Sequence, residues 1–166
     1  MEKEIIDSIN GAQKVLVGIG ECFDDASDVS KGVYDRLATL MADKDYYVVS
    51  VSTDEKIRNS TLKQDRVVAP FIVPEDDAAA NDAAEAAWKM YNTWLSCTLN
   101  KELCILELGV GLKYPTVVRW PFEKVAMLNN KAKMFRVHES LYQSTEEIKE
   151  KCVCIKRNPI DLLSDL

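Results

Sequence analysis

Two short glycine turns and a few ionisable residues are where chemistry could reside in this chain. Gly18-Ile19-Gly20-Glu21-Cys22 and Gly109-Val110-Gly111 each close an apolar run. Glycine just beyond a buried strand lets a ligand approach the backbone, and the amides that follow attract phosphate. Neither turn completes the six-position dinucleotide fingerprint, because its last glycine is missing, so each also reads as a plain strand-to-helix turn. If the turns hold a pyrophosphate, valine at Gly20 or Gly109 should abolish nucleotide binding and leave the protein soluble.

Other residues carry paired readings. Glu107 ends an apolar run, where a carboxylate is either paired with a cation such as Arg119 or placed at a ligand crevice. Arg119 stands beside Trp120, as a cation held against an aromatic or as a phosphate contact. His138, the one histidine, is either a hydrogen-bonded strand-end residue or a base. Cys152 and Cys154 point to one face if they lie on a strand, and with His138 they make at most a poor metal site, burial being the simpler reading. Trp88 and Trp94, six residues apart, fall on different helical faces and suit core and helix packing.

These residues need a scaffold, and the apolar pattern supplies one. Ile5, Ile9 and Ala12 predict a helix, followed by a strand at Lys14–Gly20. Val33, Leu37, Leu40 and Met41 mark a second helix before a strand at Tyr46–Ser52. Arg66–Ala69 is short and extended, broken by Pro70 and Pro74. A long helix is expected from Asp76 to Leu99, with acidic residues Glu75, Asp76 and Asp77 at its start. Strands follow at Leu103–Leu108, Ala132–Val137 and Cys152–Ile155, with short helices at Pro121–Leu128, Thr145–Lys149 and Pro159–Leu163. Apolar strands alternating with helices define an α/β fold: a Rossmann-like, mostly parallel sheet with helices on both faces. Residues 1–166 form one domain with no repeat or linker.

Composition narrows the function. Lys plus Arg total 21 against 27 Asp plus Glu, a net charge of -6, the wrong sign for tracking a nucleic-acid backbone or anchoring on an acidic membrane. With 47% hydrophobic and 29% charged residues the chain is globular, not disordered. The start, Met1-Glu2-Lys3-Glu4, lacks the features of a signal peptide, and no apolar run suits a membrane span, so a cytoplasmic address is expected. Five cysteines, an odd number in apolar surroundings, suit reduced thiols, mostly packing residues.

The run Glu107-Leu108-Gly109-Val110-Gly111-Leu112-Lys113-Tyr114-Pro115-Thr116-Val117-Val118-Arg119-Trp120-Pro121-Phe122 is similar to a segment of bacterial sirtuin-like proteins, including the macrodomain-linked branch. Val17–Cys22 resembles a degenerate sirtuin Gly-Ala-Gly-x-Ser loop. The likeness runs in order over most of the chain and is strongest from Leu103 to His138. It implies NAD or ADP-ribose as ligand, held by Gly18, Ile19, Gly20, Glu21, Cys22, Ser52, Glu107, Gly109, Val110, Gly111, Arg119 and His138. The family's Asn-Ile-Asp triplet falls on Ser52-Thr53-Asp54, so the Asp is kept and the Asn lost. No His follows as general base, and His138 aligns with an Asn that contacts a ribose.

The family's zinc site takes two Cys-x-x-Cys pairs, and this sequence has neither, so no zinc is expected. Deacetylase activity is not expected either, because the resemblance supplies neither the general-base His nor the small domain that forms the peptide cleft. The resemblance implies NAD hydrolysis or ADP-ribosyl transfer, with Asp54 as the catalytic carboxylate that stabilises a ribosyl cation. The alternative is a non-catalytic nucleotide-sensing or protein-interaction module, with Trp120-Pro121-Phe122 meeting a second subunit or a protein substrate.

Overall fold

The apolar runs become strands because both faces of each are covered. A computed structural model describes residues 1–24, 29–72 and 76–166. Its strands are β1 (Lys14–Ile19), β2 (Asp45–Ser50), β3 (Val67–Val68), β4 (Leu103–Leu108), β5 (Ala132–Val137) and β6 (Cys152–Ile155). Every residue of β4 is buried, as are all but the first of β1 and β2, the pattern of a parallel sheet sandwiched between helices. The order is β3-β2-β1-β4-β5-β6 and every described pairing is parallel. Val17 of β1 stands opposite Val48 on one side and Leu106 on the other.

Alternation along the strands sorts the core into two layers. Val15, Val17, Leu106 and Phe135 face Ile5 and Ile9 of α1 (Glu2–Gly11), Tyr34 and Leu37 of α2 (Val29–Leu40), and Leu162 and Leu163 of α5 (Pro159–Asp165). Leu16, Tyr47, Ile105 and Met134 face Tyr91 and Trp94 of α3 (Ala78–Ser96) and Phe122 and Ala126 of α4 (Arg119–Leu128). A fully buried phenylalanine such as Phe122 is worth about 1.5–3 kcal/mol of transfer free energy. Gly18 makes that burial possible: a side-chain carbon there would lie 2.5 Å from Val118 Cγ1 and 2.9 Å from Phe122 Cε2.

Helix ends differ from the sequence expectation for local reasons. The Asp77 carboxylate accepts the Ala80 amide at 3.0 Å, so α3 starts at Ala78, not Asp76, and it ends at Ser96, before Leu99. Glu75 and Pro74 lie outside the described residues. Helix α4 starts at Arg119, two residues early, because Pro121 sits in its first turn, where a missing N–H costs nothing. Thr145–Lys149 forms only a single tight turn at Glu146–Ile148, whereas α5 runs on to Asp165. Tight turns at Glu21–Phe23, Glu55–Asn59, Gln64–Arg66 and Pro70–Ile72 lack the length to show in a periodicity.

Trp88 and Trp94 pack as expected, linked through two tyrosines: Trp88 contacts Tyr91, Tyr91 contacts Tyr47, and Tyr47 contacts Trp94, at centroid separations of 5.1–5.5 Å. One side-chain expectation is corrected. The cysteines are not mostly packing residues, since only Cys104 and Cys152 are buried; Cys97 and Cys154 are exposed and Cys22 is half-buried.

Candidate functional site at the carboxyl edge of the sheet

Strand order reverses between β1 and β4, and both glycine turns emerge there. In open parallel sheets this is where ligands bind. The two turns are locked together: the Gly20 amide donates to Leu108 O at 2.9 Å and the Cys22 amide to Gly109 O at 3.2 Å. A side-chain carbon on Gly20 would stand 2.0 Å from Gly109 O, and one on Gly109, whose φ is +65°, would stand 2.6 Å from Cys22 Cβ. Gly20 is thus required by backbone packing and Gly109 by its left-handed φ and the Cys22 side chain against it, which corrects the expectation that valine at either position leaves a sound protein.

The carboxylate of Glu21 bridges the turns from above. Its Oε2 accepts the Gly111 amide at 2.7 Å and its Oε1 accepts the Lys113 amide at 3.2 Å. Two amides converging on one carboxylate form an anion cradle. The residues therefore fit a phosphate-bearing ligand, with Glu21 as a stand-in anion.

A second bridge runs to the end of β2. Asp24 Oδ1 accepts the Ser52 hydroxyl at 2.8 Å and the Thr53 amide at 2.9 Å, and Ser52 Oγ accepts the Asp54 amide at 3.0 Å. Asp54 is buried; its carboxylate accepts the Tyr34 hydroxyl at 3.0 Å and caps the turn at Glu55–Asn59 by accepting the Lys56 amide. Burial and the Asp54 charge push the Tyr34 hydroxyl far above its ordinary value.

On the β5 side, His138 Nδ1 accepts the amides of Ser140 and Leu141, each at 3.0 Å. That fixes the neutral tautomer with its proton on Nε2, which faces Cys22 Sγ at 3.5 Å. Burial, and then the Arg119 charge, lower the His138 pKa, which favours the neutral ring. Burial raises the Cys22 thiol, and the charges of Glu139, Glu21 and Asp24 raise it further. Cys22 is therefore a protonated thiol receiving a hydrogen bond, and His138 has no lone pair aimed at it.

Beneath this edge lies an ion-pair network. Arg136 donates from Nε to Glu107 Oε1 at 2.8 Å and from Nη2 to Glu107 Oε2 at 3.0 Å, and Arg119 reaches the same Oε1 at 3.1 Å. Arg119 Nη1 also donates to the carbonyls of Val110 and Leu141. Of the two readings of Glu107, pairing with a cation is what the geometry displays, and Arg119 turns inward, away from the exposed Trp120.

The structure thus gathers Gly20, Glu21, Cys22, Gly109, Gly111 and His138, joins Ser52 and Asp54 to them through Asp24, and leaves Gly18, Ile19, Glu107, Arg119 and the Val110 side chain buried below. Asp24, Tyr34, Lys113 and Arg136 were not expected at or under the site. Arg136 had a legible signal: it is fifth in its six-residue strand, as Glu107 is in the neighbouring one, and the two are in register.

A concavity of about 510 Å³ lies at the opposite, amino edge, lined in part by Lys14, Tyr47, Arg66 and Trp94. Of its three cations, Lys14 and Arg66 converge on Asp45 and Lys89 pairs with Glu85, so the charge there is largely spent.

Strand order and turn placement define a Rossmann-like parallel α/β protein. No protein-family model matches the chain. A stretch of 56 residues, 32% of the chain, is 46% identical to a protein of Fusarium oxysporum f. sp. cubense described as a "Probable bifunctional ADP-ribose hydrolase/ADP-ribosyltransferase". The matched stretch spans 9% of that protein's length. Among the described residues no group of three or more His, Cys, Asp or Glu side chains could hold a metal ion. No described helix is long and apolar enough to cross a membrane.

Proposed function

We propose that the chain binds an ADP-ribose-containing nucleotide, NAD or ADP-ribose, at the carboxyl edge of its sheet. The observation that carries this reading is the amide pair of Gly111 and Lys113, which converges on an anion where the strand order reverses. The partial likeness to an ADP-ribose-processing protein supports the same ligand class. These two amides would hold a phosphate, and the Ser52–Asp54 segment and His138 would border the ribose ends. A sirtuin-like assignment rests on the Glu107–Phe122 resemblance.

Deacetylation is not part of the proposal. The single imidazole has Nδ1 committed to two amides and Nε2 turned to Cys22, so it is not positioned to activate a ribose hydroxyl. NAD cleavage is a second reading, favoured by one observation: Asp54 follows β2 at the ligand-binding edge as a buried carboxylate. A carboxylate beside the anomeric carbon stabilises the oxocarbenium ion that forms as nicotinamide leaves.

Calorimetric titration with ADP-ribose, NAD, AMP and nicotinamide tests the binding reading. ADP-ribose and NAD should bind and nicotinamide alone should not; no heat from any of the four would refute it. For cleavage, Asp54→Asn should lower nicotinamide release by about 100-fold with little change in NAD affinity, since the interaction belongs to the transition state. Equal turnover by both proteins would remove Asp54 from the chemistry.

A further inference from the structure

Glu21 places an acid where the surrounding backbone is built to receive an anion. Each of its carboxylate oxygens takes one amide, from Gly111 at 2.7 Å and from Lys113 at 3.2 Å. The bare Cα of Gly111 lies close beneath it: a side-chain carbon there would stand 3.3 Å from Glu21 Oε2. Nothing in this cradle distinguishes a carboxylate from a phosphate, because both offer two adjacent oxygens to two converging donors. The donors belong to the backbone, so the two amides are still present when a side chain leaves. Glu21 itself is half-buried, and the backbone on either side of it is held by the Gly20 and Cys22 amide bonds to the β4 turn.

The charges of Glu139, Glu21 and Asp24 all act on Cys22, the residue that follows Glu21. Like charges at close range repel strongly in a partly buried crevice. A diphosphate and the Glu21 carboxylate therefore exclude one another from the two amides.

We propose that Glu21 is a built-in competitor for the ligand's diphosphate: it occupies the amide pair of Gly111 and Lys113 and so sets the affinity of the crevice for phosphate-bearing ligands. This rests on the reading of the edge as a nucleotide site, and it adds the residue that tunes that site. The same carboxylate satisfies the two amides and ties the β1 and β4 turns together.

The test compares wild type, Glu21→Gln and Glu21→Ala by calorimetric titration with ADP-ribose and, separately, with inorganic pyrophosphate, at about 0.05 M salt so that the charge term is not screened. Both variants should bind both ligands more tightly, Glu21→Ala by at least about tenfold, because the charge and the occupant are both gone. Unchanged or weaker binding of pyrophosphate by both variants overturns the proposal, as does a gain confined to ADP-ribose, which would come from the nucleoside end. If none of the three proteins binds ADP-ribose while Glu21→Ala still gains pyrophosphate, the nucleotide reading falls and the competition stands. Circular dichroism melts accompany each titration; should Glu21→Ala fail to fold, Glu21→Gln, of equal size, decides alone.

Discussion

At the scale of single residues, burial decides which groups are spent on structure. Glu107 and Arg136 are each 1% exposed and joined by two hydrogen bonds, and Arg136 also reaches Glu123 and the Gln143 carbonyl. Glu107→Gln takes the paired carboxylate from buried Arg119 and leaves buried Arg136 with Glu123 alone, so a loss of about 3–5 kcal/mol is expected in urea denaturation. Tyr91 is the opposite case: its hydroxyl is buried without a partner among the described residues. Tyr91→Phe removes an unsatisfied group and should leave stability unchanged or raise it by about 1 kcal/mol in the same assay.

His138 titrates below its ordinary value because burial and Arg119 disfavour the charged ring, so the unfolded chain binds the proton more tightly than the folded one. Its contribution to stability is complete above about pH 6.5 and is lost as pH falls through the folded pKa. Wild type should thus lose more stability than His138→Asn between about pH 7.5 and pH 5; parallel losses would mean that the ring titrates alike in both states.

At the scale of elements, the two glycine turns act as one unit. Gly20→Val drives a side chain into the Gly109 carbonyl, which is backbone and cannot yield, so the variant should be insoluble or melt far below wild type. Gly109→Ala takes on the left-handed penalty of about 1–2 kcal/mol together with a clash on Cys22. A Gly20→Val protein with the wild-type melting temperature and no nucleotide affinity would restore the view that this glycine serves only the ligand. Helix α4 depends on another glycine in the same way, through Gly18 beneath Val118 and Phe122. The glycine positions were legible in the sequence, but not what fills the space they leave, because that depends on which turn lies opposite.

At the scale of the whole molecule, six parallel strands and two helical layers make the core, and among the described residues no group of three or more His, Cys, Asp or Glu could hold a metal ion. Purified protein should carry no stoichiometric zinc and keep its melting temperature in chelator; one zinc per chain by elemental analysis would contradict this. Strand positions, helix faces and the α/β class followed from the sequence alone, because apolar runs and helical spacing are local properties that burial on two faces writes into short stretches. What the ionisable residues do was decided only in three dimensions. Glu107 and Arg136 lie 29 residues apart, Asp24 and Ser52 28 apart, and Glu21 and Gly111 90 apart. Each pair meets because strand order brings distant turns to one edge, and hydrogen-bond geometry, set by that order and register, selects which donor reaches which acceptor.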